Sequence, residues 1–188
     1  MSQRTGRVVF DRRTANGSVG SLDATGCIET SADVVIFDGV IKVKGRPNLT
    51  SSISVFTGVF NFCTGETLSF AEGDLSDLPD SQLHIDNQLK SGRVEATVTV
   101  FDFSGTSSFP VSVNFTWAGT GPIQTVSHDI SKQRVYQFFY SYSRTQSDQR
   151  SATLSGNVAL PQATLVATPD NSFATLGSFK QQQINIEK

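Results

Sequence analysis

The chain is predicted to be all-β and mainly antiparallel, a β-sandwich or closed β-barrel of about a dozen strands. Three observations predict it. Val111–Trp117 reads Val-Ser-Val-Asn-Phe-Thr-Trp, apolar at every odd position and polar at every even one. That two-residue rhythm belongs to a strand with one covered and one wet face. No stretch of comparable length carries the helical period, and Gly, Pro, Ser and Asn clusters punctuate the apolar runs every ten to fifteen residues or so. Without crossover helices, neighbouring strands run antiparallel.

Taken in order, Arg7–Arg12 is a short first strand, and a Gly/Ser/Asn-rich stretch follows as far as Gly26. Val35, Phe37, Ile41 and Val43 then share a face, with Asp38, Lys42 and Lys44 opposite, before the turn signal Gly45-Arg-Pro-Asn48. Ile53–Cys63 is apolar on both faces, as in a central strand or one broken by a bulge at Gly58. Thr67–Ala71 pairs back across Thr64-Gly65, and the acidic loop Glu72–Asp80 is the one place for a short helical turn. Leu83–Asp86 is a short strand.

Arg93–Phe103 alternates through Val94, Ala96, Val98 and Val100, then puts Phe101 and Phe103 on the other face, a change of phase that predicts a bulge. Ser104–Ser108 is the loop of a hairpin leading into Phe109–Ala118. After the turn Gly119–Pro122 come a weaker strand, Ile123–Ile130, and a strand over Arg134–Ser143. The polar loop Ser143–Arg150 precedes Ala152–Leu160, Leu165-Val166 and the terminal Ile184–Ile186.

The 188 residues fit one domain, 1–188, with Arg4, Arg7, Arg12 and Arg13 in a frayed, solvated leader. Hydrophobic residues are only 37% of the chain, but 14 Phe supply bulk for a core. A net charge of −2 carries no polyanion-binding signature, so no nucleic-acid partner is expected. No run approaches the ~20 apolar residues of a membrane span, and no secretory h-region opens the chain. The compartment stays unknown: an intracellular protein, or a mature form whose signal has been removed. Cys27 and Cys63 pair in an exported protein; alternatively Cys63, following Val59–Phe62, is a buried free thiol.

Signatures of common chemistry are missing: no Gly-x-Ser-x-Gly elbow, no His-Glu-x-x-His, no phosphate-cradling glycine loop. No cofactor is expected. His84 and Asp86, spaced i, i+2, project from one strand face and form the candidate catalytic pair. Asp74, Asp77 and Asp80, with Glu72, are hard oxygen donors of the kind calcium takes, though not at EF-hand spacing. Tyr136, Phe138, Tyr140 and Tyr142 share one face and, with Trp117, are the candidate ligand-binding surface: cavity lining in a barrel, core in a sandwich, a partner patch if exposed.

The leading expectation is a non-catalytic binding or interaction module. The second is a barrel carrying an apolar small molecule against the Tyr136–Tyr142 face, and the third an enzyme built on His84 and Asp86. The weakly charged run Gln181–Ile186 offers an edge through which a homodimer would form.

Overall fold

Strand formers so dominate the chain that its described residues form only strands and the segments that connect them. The structure, a computed structural model, describes residues 4–43, 46–134 and 139–187. The strands are β1 (Arg4–Leu22), β2 (Ile28–Val43), β3 (Arg46–Asn61), β4 (Glu66–Ser76), β5 (Leu83–Ile85), β6 (Ser91–Asp102), β7 (Ser108–Arg134), β8 (Phe139–Ala159), β9 (Thr164–Val166) and β10 (Ser172–Glu187). Every ladder is antiparallel, and the order β10-β1-β2-β3-β4-β6-β7-β8 returns to β10 through a β8–β10 ladder. The sheet therefore closes as a barrel, which removes its edges wherever the ring is complete. Among the described residues no helix is long and apolar enough to cross a membrane.

Alternation assigns the faces. Along β7, Val111, Val113, Phe115 and Trp117 are buried while Ser112, Asn114 and Thr116 face out. Ile36, Val55, Val100, Val158 and Leu176 fill the same interior from other strands. Trp117 is fully buried and stands edge-on to Phe115, with ring centres 5.7 Å apart. Its Nε1–H donates to the Asn16 carbonyl at 2.8 Å, so the indole brings no unpaired donor into the core.

β5 hydrogen-bonds to β6, yet its Ile85 is also held from across the ring. Arg13 donates to the Ile85 carbonyl at 2.9 Å, and the Ile85 N–H donates to Asp38 at 3.1 Å. The segment thus crosses the barrel, and Leu78, Leu83, Ile85 and Leu89 seal the apolar interior at that level. Beyond it β4 and β6 stop. β3, β2, β1, β10, β8 and β7 continue as a six-stranded open extension whose inner face continues the barrel's inner wall.

Several sequence expectations are corrected. The residues from Arg4, expected to be frayed, form the start of β1, which runs unbroken through the Gly/Ser/Asn stretch to Leu22. Gly17 lets that stretch lie close against the core: a Cβ there would lie 3.1 Å from Trp117 and from Leu154. On β2 the faces are inverted, with Ala32, Val34 and Ile36 inside and Val35 and Phe37 outside, where the Arg12 guanidinium covers the Phe37 ring at 3.6 Å. Glu72–Ser76 is strand rather than helical turn. β6 keeps one register with β7 to Phe101, so Phe101 and Phe103 point outward without a bulge.

Gly119–Pro122 is not a turn but a register shift inside the 27-residue β7, and Ser143–Arg150 is strand, part of β8. Gln181–Ile186 is no edge, being paired with β1 on one side and β8 on the other. Cys63 is not a buried thiol: it is exposed in the β3–β4 turn and disulfide-bonded to Cys27, Cα to Cα 5.3 Å. The expected Leu83–Asp86 strand and the Ser104–Ser108 hairpin loop are both present, the former as β5.

Candidate functional site

The inner face changes character above the sealed core. Register carries Ala15, Ile36 and Leu176 in one apolar layer, and the next layer is Arg13, Asp38, Ser178, Asp148 and Thr125. Inward-facing positions farther out include Asp11, Lys180 and Gln146, then Lys42, Arg144, Asp129 and Tyr142. The wall therefore interleaves carboxylates with cations across the open extension.

Its lowest layer is tightly hydrogen-bonded. Arg13 forms a 3.1 Å ion pair with Asp38 and also donates to Asn87 at 2.7 Å. Asp148 accepts from the Thr125 hydroxyl at 2.7 Å, from the Gln146 amide at 3.1 Å and from the Ser178 hydroxyl at 3.1 Å. Higher up, Arg144 stands 3.6 Å from Asp129, which also accepts from the Tyr142 hydroxyl at 3.4 Å. Asp11 and Lys180 face each other in register, and one Asp11 carboxylate oxygen is buried with no hydrogen-bond partner among the described residues.

Burial alone would raise the Asp148 carboxyl, but the hydrogen bonds from Thr125, Gln146 and Ser178 and the Lys180 charge outweigh it and hold it below its ordinary value. A carboxyl lowered in the folded state stabilises the fold above its unfolded pKa, and that gain disappears as pH falls through the lowered value. Asp148→Asn is therefore expected to flatten the loss of stability below about pH 4, measured as denaturation midpoints between pH 6 and pH 2. An unchanged acid limb would refute this role.

The sequence-predicted residues are dispersed. Tyr136 and Phe138 lie outside the described residues. Tyr140 is in β8, in register with Gln133 and Ile186, and Tyr142 belongs to the polar wall. Trp117 is core. His84 and Asp86 make no direct hydrogen bond among the described residues: His84 stands 3.9 Å from Asp38, while Asp86 accepts from the N–H groups of Gln88 at 2.7 Å and Lys90 at 3.3 Å. Although burial opposes it, those N–H groups, with the Lys90 and His84 charges behind them, lower the Asp86 carboxyl, as expected of a turn cap. Asp23 and Asp102 organise the β1–β2 and β6–β7 turns in the same way.

Asp74 is on β4, Asp77 lies just after the strand and Asp80 begins the turn that leads into β5. Among the described residues no three His, Cys, Asp or Glu side chains converge to hold a metal. The residues that do come together, Arg13, Asp38, Asp148 and Lys180, are scattered along the chain with no common spacing. Their only sequence signal is a polar residue breaking the inward, apolar phase of a strand.

No family model matches the chain, and no curated protein sequence does. Among solved structures, a Nitrosomonas europaea protein provisionally named AttH is similar at 9% identity with a TM-score of 0.29, over 96% of this chain and 51% of that one. The chain spans about half the length of that protein. So distant a likeness carries no argument here.

Proposed function

We propose that the protein is a non-catalytic binding module whose polar inner wall takes a hydroxyl-bearing polar small molecule, of the saccharide class. The observation that carries this reading is the switch of the inner face from sealed apolar core to interleaved donors and acceptors. Fixed donors and acceptors of both charges, beside the Tyr142 ring, suit a ligand bearing many hydroxyls. Against a carrier of apolar molecules weighs the packing of the barrel by Trp117, Phe115 and the β5 segment. Against an enzyme weighs the engagement of Asp86 by the Gln88 and Lys90 N–H groups of its own turn rather than by His84. The Cys27–Cys63 bond favours an oxidising compartment as the place of work.

The test is an NMR titration of labelled protein with disaccharides containing glucose, galactose, N-acetylglucosamine or uronate. Shifts are expected at Tyr142, Arg144, Gln146 and Lys180. Arg144→Ala with Lys180→Ala should abolish them while a cooperative thermal melt shows that the variant remains folded, since both side chains are exposed. Shifts confined to other surfaces, or none from any member of the panel, would overturn the reading.

A further inference from the structure

Two free strand edges at opposite ends of the barrel match each other in chemistry. The first is on β4, which follows β3 from Ser52–Ser76 to Asn61–Glu66 but meets β6 only at Ala71–Asp102 and Glu72–Phe101. Close approach at this crossing depends on Gly73, where any Cβ would collide with the Thr99 carbonyl. Past the crossing β6 ends at Asp102, and on the side away from β3 the segment Glu66–Phe70 has no strand alongside among the described residues. The groove beside it is lined by Leu68, Phe70, Phe101 and Phe103, and Phe103 is 93% exposed. Its charged lining is acidic only, from Glu72, Asp74 and Asp102. From Pro47 to Leu89, and again from Val94 to Ser131, the chain holds no Lys or Arg at all.

The second edge is the far half of β7. β6 pairs with β7 only as far as Ala118, so Gln124–Arg134 hydrogen-bonds to β8 on one side and to no described strand on the other. Its outer face exposes Val126, at 72%, and Ile130, at 46%, and it runs into Lys132 and Arg134. This is an extended, apolar segment with a basic end, the complement of an aromatic groove with an acidic lining.

The geometry points to head-to-tail self-association: the β7 edge of one copy adds as a strand to the β4 edge of the next. Val126 and Ile130 would pack on Phe70, Phe101 and Phe103, and Lys132 would face Glu72, Asp74 and Asp102. Strand addition satisfies backbone groups that an edge otherwise leaves to water, and side chains on alternate positions supply the selectivity. Because the two patches differ, the contact is heterologous, so copies add in series until a ring closes or a fibre grows. The polar inner wall takes no part, so this association and ligand binding succeed or fail independently.

Sedimentation velocity over a hundredfold range of protein concentration reads the outcome. The wild type is expected to grow in mean mass with concentration and to shrink toward monomer when salt rises from 50 to 500 mM. A groove variant (Phe101→Ser with Phe103→Ser) and an edge variant (Val126→Lys with Ile130→Lys) should each be monomeric alone. Mixed one to one, they should form dimers that grow no further, since one intact groove and one intact edge remain. Thermal melts establish that each variant is folded; Leu68→Ser with Phe103→Ser replaces the groove variant if Phe101→Ser unfolds. The inference falls if the wild type stays monomeric, if either variant assembles alone, or if the mixture yields no dimer. It falls equally if the exposed phenylalanines bind zwitterionic phosphatidylcholine vesicles and the wild type does not self-associate.

Discussion

Replacing Cys27 and Cys63 by Ser is expected to destabilise the fold by about 4 kcal/mol, the loop-closure entropy that a cross-link of this span removes from the unfolded chain. The two cysteines are 36 residues apart and join the β1–β2 turn to the β3–β4 turn. Asp23 shapes the first turn by accepting from the Cys27 and Ile28 N–H groups, each at 3.0 Å. Asn61 shapes the second by accepting from the N–H groups of Cys63 at 3.0 Å and Thr64 at 3.2 Å. Both turns are therefore pre-shaped without the bond, and its contribution should be mostly entropic. For a chain of this size the expected loss corresponds to a fall of very roughly 8–16 °C in melting temperature. Calorimetry of the wild type with and without reductant measures it; identical melts would sink the prediction.

Trp117→Ala should cost about 3–5 kcal/mol, the range for removing a large buried aromatic side chain. The indole fills the space above Gly17, contacts Phe115 edge-on, and satisfies the Asn16 carbonyl. The alanine variant loses all three, leaving a cavity and a carbonyl without its partner. Trp117→Phe keeps much of the volume and loses chiefly the hydrogen bond, for which about 1–2 kcal/mol is the expected loss. Urea denaturation of both variants separates packing from hydrogen bonding. A loss below about 1 kcal/mol for Trp117→Ala would mean that the ring is not the centre of the barrel.

How much of this was legible beforehand depended on whether a residue's role was local. The Val111–Trp117 alternation announced a strand and its buried face, because pleating sends neighbouring side chains to opposite sides wherever the strand ends up. The hairpin around Ser104–Ser108 was equally legible, since a turn is made by residues close in sequence. On β2, by contrast, Val35 and Phe37 looked like the core face but lie outside. Both faces of that strand are apolar, and periodicity alone cannot rank them.

The run Ser143–Arg150 looked like a loop because its inward residues are polar. They are polar because that part of β8 lies above the sealed core, a height along the barrel that no local pattern encodes. His84 and Asp86 illustrate the converse: correct strand spacing suggested a pair, but β5 ends at Ile85 and Asp86 turns away to cap Gln88 and Lys90.

Local residue order alone therefore determined that the chain is pleated, antiparallel and punctuated by turns, since these follow from side-chain alternation and from backbone preferences of single residues. Only the tertiary structure decided that the sheet closes, that Arg13 meets Asp38 and Ile85, that Asp148 gathers Thr125 and Ser178, and which edges stay free. Those outcomes depend on ladder register between strands as far apart as β1 and β10, and register is set by the packing of the whole ring rather than by any one segment.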